Sequence, residues 1–423
     1  MKLLHPTTAI LLLILAPNLV AEKELPKQEA SLWKPIEWKI ENPQWNGNPF
    51  DLNAVAAFTH DESGEQIETR LFYHGDSIWV LRFTGVKPGT WAFKTTSDDP
   101  DLDQLNGSVT ITNPKNPERG FLKNHGGKWA WQGTEQCFVP QLVMWDYVSG
   151  AKNLRVIESN PEKVDELIQT FIVEHGFSGF HVPEVAAHWF DADADGTRTR
   201  QEMENPDLRT FASLETLIQK THQAGGMVHI WPWGDQSRGQ TPLQLKGRRE
   251  GVVDRRLQRY IGARLGPLPG WTMGYGFDLD EWVSEKEIET WHQNLHAELG
   301  WPHLLGGRPK GTNREGKHSK YSDWNKPLDF ASYEHHRPSY SVYRNAIAAN
   351  PNKPVFSEDR FRIRNSKRYA KKDYSPELTL RGMYHSTLAG GVANIWGAHP
   401  ESFEGGIYPN QAALKTYDVF FNQ

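Results

Sequence analysis

Features that define several familiar functional classes are scarce in this 423-residue chain. Its single cysteine, Cys137, excludes a disulfide within the chain, and its apolar surroundings predict that it is buried. The net charge of −5 and the lack of a basic binding face argue against a nucleic-acid partner. After the N-terminus, no apolar run reaches the length of a membrane-spanning helix, which argues against a membrane span in the mature chain.

Two catalytic motifs are also missing. No glycine-rich phosphate loop follows the first strand of the α/β region, which disfavours a doubly wound nucleotide-binding sheet. No G-x-S-x-G sequence is present, which disfavours a carbohydrate esterase or lyase that uses a serine nucleophile.

The first 21 residues have the composition of an export signal. Lys2 supplies a positive charge, residues 9–16 form an apolar segment, and Ala21 is a suitable residue before a cleavage point. An uncleaved anchor is the competing interpretation, but the apolar segment is short for a bilayer span. We therefore expect a secreted or periplasmic protein.

The remaining sequence divides into two regions. Residues 30–114 contain short alternating segments separated by turn residues, which predicts an immunoglobulin-like β-sandwich. Residues 120–423 alternate strands with amphipathic helices at 161–175, 208–224, 284–299, 339–349 and 376–389. Eight strands are predicted to begin near Phe138, Phe177, Met227, Trp271, His303, Leu328, Pro354 and Gly391. This pattern predicts an α/β fold of the TIM (β/α)8 barrel type, preceded by the small all-β sandwich.

Two acidic residues follow predicted buried strands. Residues 353–359 run from apolar residues into Glu358, and residues 271–282 run in the same way into Glu281. A carboxylate at a buried strand end is costly unless a site uses it. Glycosidic bond cleavage needs two such groups, one as proton donor and one as nucleophile or base. The competing interpretation is that both acids form structural ion pairs with arginines.

On these residues the barrel resembles the retaining glycoside hydrolases of clan A, some of which also carry an immunoglobulin-like domain ahead of the barrel. The resemblance implies that Glu281, after strand four, is the acid/base and that Glu358, after strand seven, is the nucleophile. In that clan the acid/base commonly follows an asparagine, whereas Asp280 stands there in this chain. Asp278 and Asp280 therefore remain alternative proton donors.

Further strand ends supply candidate substrate-binding residues. The resemblance implies that Tyr333 contacts the nucleophile and that Trp396 forms the floor of the sugar site, although either side chain could equally fill the barrel. The chain has 17 Trp, 13 Tyr and 19 Phe, and we assign ligand contact only to the aromatic residues at strand ends. The other candidates are Trp145, His229, Trp231, Trp233, Asp280, Glu334, His335 and Arg360.

An acidic loop after strand two matches the spacing of a calcium-binding loop. Its candidate ligands are Asp191, Asp193, Asp195, Thr197 and Glu202, with Gly196 at the bend. Flanking helices of the EF-hand type are missing, so a solvated acidic loop is the alternative. We expect at most a structural Ca2+ here, and no cofactor required for catalysis.

Arginines and lysines cluster after strands three and seven, at 248–259 and 360–372. Guanidinium groups bind carboxylate and sulfate well, so the substrate could be an anionic algal or plant glycan. The sequence thus predicts a glycoside hydrolase acting on a polysaccharide or oligosaccharide. The main alternative is a carbohydrate-binding protein without catalysis, in which loss of Glu358 would leave glycan affinity intact.

Overall fold

The structure is a computed structural model that describes residues 23–145, 154–190, 203–309, 324–334, 339–363 and 376–398. For residues 359–363, 376, 377 and 398 it describes the backbone alone. The predicted export signal lies outside these ranges. Among the helices within them, none is both long and apolar enough to cross a membrane.

The N-terminal region consists of two β-sheets that enclose one hydrophobic core. The first sheet has the spatial order β1 (Gln28–Ser31), β8 (Asn106–Thr112), β7 (Gly89–Ser97), β3 (Ala54–His60) and β4 (Gln66–Arg70), and the second has β2 (Pro35–Glu41), β6 (Ile78–Thr84) and β5 (Phe72–Gly75). In β3, Ala54, Ala56 and Phe58 are buried and alternate with more exposed residues, as expected for a strand with one face on a core. The all-β prediction is confirmed, while its immunoglobulin-like assignment stays a prediction.

A small sheet that the sequence did not predict closes the amino-terminal end of the barrel. It consists of β9 (Leu122–His125), β10 (Lys128–Trp131) and β11 (Cys137–Phe138). The Trp129 ring lies edge-on to Phe330 and Phe356, at centroid distances of 5.3 and 5.6 Å. Cys137, expected to be buried, is exposed on β11, a strand of only two residues.

Eight parallel strands form a nearly closed TIM barrel. In chain order they are β12 (Gln141–Met144), β13 (Gly179–Val182), β14 (Met227–Ile230), β15 (Trp271–Gly274), β16 (Leu305–Gly306), β17 (Ala331–Tyr333), β18 (Val355–Ile363) and β19 (Asn394–Ala398). The predicted barrel fold and number of strands are confirmed. In the described part of the chain no strand ladder joins β16 to β17, although the Asp329 N–H donates to the Leu305 carbonyl at 2.9 Å.

Helices surround the barrel on the outside. They are α1 (Val156–Ser159), α2 (Glu162–Leu167, continued by a π-helical turn Ile168–Glu174), α3 (Leu208–Gln223), α4 (Val252–Leu265), α5 (Glu285–Leu299), α6 (Tyr340–Ala348) and α7 (Pro376–Ala389). Helix α5 starts with a capping box, in which Ser284 and Glu287 each accept the other's backbone N–H. Helix α4, which is rich in arginine, was not predicted.

Side chains of the barrel strands alternate between two cores. Phe356, Phe330, Ile395 and Trp231 belong to the core inside the barrel, together with Trp129 of the closing sheet. The residues next to them in sequence belong instead to the core between strands and helices. This alternation determines which strand-end residues can reach the centre of the barrel.

Buried charges join the N-terminal region to the barrel. Glu215 on α3 accepts hydrogen bonds from Arg82 on β6 at 2.7 Å and from Arg264 on α4 at 2.8 and 2.9 Å. Burial opposes ionisation of Glu215, but the two guanidinium groups prevail and lower its pKa to about 2. Because Arg82 belongs to the N-terminal region and Glu215 and Arg264 belong to the barrel helices, these ion pairs connect the two regions.

Candidate active site

Glu358 lies inside the barrel on β18. Between Ser357 and Phe361 the pairing of β18 with β19 shifts register, so Glu358 occupies an irregular part of the strand. Such irregularities reorient side chains and are common beside active sites. The Glu358 side chain is 0% exposed. An acidic side chain is thus fully buried inside the barrel.

His229 on β14 is the hydrogen-bond partner of Glu358. Its Nε2 lies 3.1 Å from Glu358 Oε1, and its Nδ1 lies 2.8 Å from the hydroxyl of Thr272 on β15. All three side chains are fully buried. An ionised Glu358 requires the tautomer with the proton on Nε2, which Thr272 supports by donating its hydroxyl hydrogen to Nδ1.

The second carboxylate oxygen of Glu358, Oε2, is buried and has no hydrogen-bond partner among the described residues. A buried carboxylate normally accepts several hydrogen bonds or pairs with a cation. Among the described residues, the hydrogen bond with His229 is the one that compensates the Glu358 carboxylate. This is the arrangement expected of a carboxylate whose free oxygen reacts with, or binds, a ligand.

Gly274 makes room for this carboxylate at the end of β15. A Cβ atom at this position would lie 3.2 Å from Glu358 Oε1 and 3.0 Å from the indole of Trp231. Any side chain at residue 274 would therefore crowd both groups. The missing side chain lets Trp231, predicted to bind substrate, and Glu358 converge on one point inside the barrel.

Arg308, which the sequence did not reveal as a site residue, lies on the other side of Trp231. Its guanidinium carbon is 5.1 Å from the Trp231 ring centroid, a cation–π contact. It donates to Glu334, which follows β17, and lies 3.3 Å from an oxygen of Asp278. Arg308 is 0% exposed. It thereby brings together two of the candidate acidic residues from different strand ends.

The alternative proton donors differ in their surroundings. Asp278 is half-buried, and its backbone is left-handed, with φ 52° and ψ 37°. Such a conformation is uncommon for residues other than glycine, and it aims the side chain away from a regular continuation of the strand. Asp280 and Glu281 lie on the following 3-10 turn, Leu279–Glu281, and are both exposed.

Four aromatic residues predicted to bind substrate lie in the outer core. Trp145, Trp233, Tyr333 and Trp396 all belong to the cluster between strands and helices. The Tyr333 hydroxyl lies 3.3 Å from that of Ser386 on α7, and the Trp396 ring packs edge-on against Phe177 at 5.8 Å. In the regular strand alternation, Tyr333 and Trp396 occupy the opposite parity to Glu358, so their rings do not point to the barrel axis.

Several predicted residues lie outside the described part of the chain. They are the calcium-loop candidates Asp191, Asp193, Asp195, Thr197 and Glu202, together with His335. Arg360 is described for its backbone only. Their roles stay predictions.

Arginines on α4 and just before it, which suggested an anionic substrate, have structural partners. Arg256 forms a bidentate pair with Asp51 of the N-terminal region at 2.7 Å, and Arg255 lies 3.3 Å from Glu298 on α5. Arg249 pairs with Glu287. These contacts explain the arginines as structural ion pairs, so they no longer support an anionic substrate.

Comparisons with known proteins support the fold. A family model described as a domain of unknown function (DUF5060) matches residues 29–98, inside the N-terminal β region. No curated protein matches the chain. A Bacteroides vulgatus crystal structure with a provisional glycoside hydrolase description superposes with a TM-score of 0.72 at 17% identity, covering 94% of this chain and 78% of that one.

A glycoside hydrolase family 5 mannosidase from Rhizomucor miehei is a more distant match, with a TM-score of 0.47 and 13% identity over 71% of this chain and 97% of the mannosidase. At such identities the likeness concerns the fold alone. The Bacteroides vulgatus structure, which covers nearly the whole chain, shares both the barrel and the β region before it.

Proposed function

We propose that this chain is a glycoside hydrolase that cleaves a polysaccharide or oligosaccharide with retention of anomeric configuration. The observation that carries the proposal is Glu358, a buried carboxylate inside the barrel that, among the described residues, has one hydrogen bond, from His229, and one oxygen without a hydrogen-bond partner. Its place on the seventh barrel strand and the glycoside hydrolase description of the Bacteroides vulgatus structure support the same conclusion.

In the first step of the proposed mechanism, a Glu358 oxygen attacks the anomeric carbon and forms an ester with the sugar. The bond to the leaving oxygen breaks as a second acid donates its proton there. In the second step, that same group takes a proton from water as the water oxygen bonds to the anomeric carbon, and the bond between that carbon and the Glu358 oxygen breaks. His229 holds the carboxylate in position throughout.

We favour Asp278 as the proton donor over Glu281 and Asp280. Asp278 is half-buried and lies 3.3 Å from the Arg308 guanidinium, which also pairs with Glu334, whereas Asp280 and Glu281 are exposed on the following turn. Trp231 links Arg308 to the Glu358 side of the site through its contacts.

The experiment is a kinetic comparison of four variants, Glu358→Gln, Asp278→Asn, Asp280→Asn and Glu281→Gln. The substrates are a panel of algal and plant glycans and aryl glycosides with good and poor leaving groups. The true proton-donor variant should lose far more activity on natural glycans and on aryl glycosides with poor leaving groups than on those with good leaving groups, whose departure needs no proton. Glu358→Gln should lose turnover of both substrate types.

Two results would contradict the proposal. Full activity of Glu358→Gln would show that Glu358 is not the nucleophile. Glycan binding without any turnover in the wild-type protein would favour the alternative, a carbohydrate-binding protein. If Glu281→Gln instead shows the selective loss, the proton donor is Glu281 and the two-carboxylate mechanism stands.

Three finer proposals remain from the sequence. An anionic substrate now depends on residues 360–372 alone, and equal hydrolysis of charged and neutral glycans would remove it. Export is tested by N-terminal sequencing of the mature protein, with cleavage expected after residue 21. A structural Ca2+ at residues 191–202 predicts a melting temperature that rises with calcium and loses this dependence in Asp193→Asn.

A further inference from the structure

Helix α5 carries two histidines, His292 and His296, four residues apart on the face that meets the start of β17. Both rings direct Nε2 at one oxygen of Asp329, with distances of 3.2 Å from His292 and 2.8 Å from His296. The ring centroids are 4.4 Å apart. Three potential ligand atoms from two separate elements thus lie together, within 4.8 Å of one another.

Asp329 is held in place independently of the histidines. Its backbone N–H donates to the Leu305 carbonyl at 2.9 Å, and the Leu305 N–H donates to its Oδ2 at 2.8 Å. Its carbonyl accepts from the side chain of Asn124 on β9 at 2.7 Å. A ligand carboxylate that is oriented by such outer contacts is a property of metal sites.

We propose that His292, His296 and Asp329 bind a divalent transition-metal ion of the zinc type. Imidazole nitrogens and a carboxylate oxygen are the ligands that zinc prefers, and two histidines at positions i and i+4 of a helix bind on one face. The side chains are 13%, 30% and 25% exposed, so an ion can enter from solvent and a water can take the fourth position.

The role of the ion is structural. Asp329 precedes β17 and Leu305 begins β16, the two neighbouring strands that no described ladder joins. An ion bound here would attach α5 to this seam of the barrel. The site lies at the amino-terminal ends of the strands, whereas Glu358 lies towards their carboxyl-terminal ends, so the inference is independent of the proposed hydrolase activity.

The alternative is that the two histidines only donate hydrogen bonds to Asp329. This alternative needs no ion and predicts that metal leaves the protein unaffected. The spacing cannot separate the two cases by itself, because hydrogen-bonded side chains need to move apart only slightly to admit an ion at about 2.0–2.2 Å from each ligand atom.

The test uses tag-free, full-length protein freed of metal with a chelator and titrated with Zn2+ by calorimetry, with Co2+ absorption as a second readout. We expect one ion per chain, a raised melting temperature, and the visible spectrum of a four-coordinate Co2+ site. His292→Asn, His296→Asn and Asp329→Asn should each weaken Zn2+ affinity about tenfold or more and remove the thermal shift. In Asp329→Asn, the amide oxygen can still accept from Leu305.

A matched control is His175→Asn, at a partly exposed histidine that precedes β13. This variant should bind Zn2+ as tightly as the wild type. Melting temperatures without metal report whether each variant folds. The proposal is overturned if Zn2+ does not bind the wild type, or if the three ligand variants bind it as tightly as the wild type does.

Discussion

Glu215 and Glu358 are both little exposed to solvent, but their surroundings differ. Glu215, between the N-terminal region and the barrel, is 12% exposed and receives hydrogen bonds on both carboxylate oxygens from two arginines. Glu358, inside the barrel, is 0% exposed and has one hydrogen bond from the described residues, from a histidine. The more deeply buried carboxylate is thus the one with fewer partners.

The two environments suit different roles, a structural one for Glu215 and the proposed catalytic one for Glu358. Surrounding Glu215 with guanidinium groups satisfies its charge, so the group contributes to stability and has no free oxygen for chemistry. Leaving Glu358 poorly compensated costs stability, and the cost is understandable if the group must attack a substrate. Glu358→Gln should therefore lower turnover, and Glu215→Gln should lower stability.

The largest effect is expected for Glu358→Gln. Loss of the nucleophile should lower kcat by about 10^4-fold or more, because glutamine cannot form the covalent intermediate. The melting temperature should stay the same or rise, since a buried charge is removed while His229 keeps an acceptor. Kinetics and thermal melts of the same preparation check both parts. A large fall in melting temperature would instead make Glu358 a structural residue.

Glu215→Gln should have the converse result. Removing Glu215 from this ion-pair network leaves Arg264 without a carboxylate partner among the described residues and Arg82 with Glu37 alone, which should cost about 3–5 kcal/mol of unfolding free energy. Denaturant unfolding measures this change. Below the melting temperature kcat should be unaffected, and a variant equal to the wild type in stability would refute the contrast.

The pH dependence of stability should report on Glu215 as well. Its folded pKa is about 2, below the ordinary value of 4.5, so the unfolded chain takes up its proton first. Stabilisation from this group is complete above pH 4.5 and is lost as the pH falls towards 2, by about 3 kcal/mol. Comparison of wild type with Glu215→Gln across this pH range isolates the contribution. If the stabilities of wild type and Glu215→Gln change in parallel with pH, Glu215 does not make this contribution.

The smallest effect is expected for His229→Asn. Loss of the single hydrogen bond to Glu358 should lower kcat about 10- to 100-fold by leaving the nucleophile poorly oriented, with KM little changed. Thr272→Val, which removes only the support of His229, should have a smaller effect in the same direction. A KM effect without a kcat effect would mean that His229 binds substrate rather than positions Glu358.

Much of this architecture could be predicted from sequence. Periodicity located helices α3, α5 and α7 to within a residue at either end, and the starts of β14 and β15 at Met227 and Trp271. These segments are apolar on one face or throughout, so local pattern and tertiary packing agree. The candidate nucleophile, Glu358, was also identified because a charged residue interrupts an apolar run.

The remaining errors have specific physical causes. The direction of Tyr333 and Trp396 depends on strand register, which a shift of one residue reverses. Arg308 lies in a short glycine-rich segment without periodicity, and only its tertiary contacts with Asp278, Glu334 and Trp231 reveal it. The two histidines on α5 needed Asp329, distant in sequence, before they could be seen as a cluster.

The most direct test of the central claim is covalent trapping of the nucleophile. A 2-deoxy-2-fluoro glycoside matching the substrate identified in the glycan panel should inactivate the enzyme and add one sugar per chain. Peptide mass spectrometry should then locate the sugar on Glu358. A label on another carboxylate, or hydrolysis with inversion and no trapped intermediate, would contradict the account.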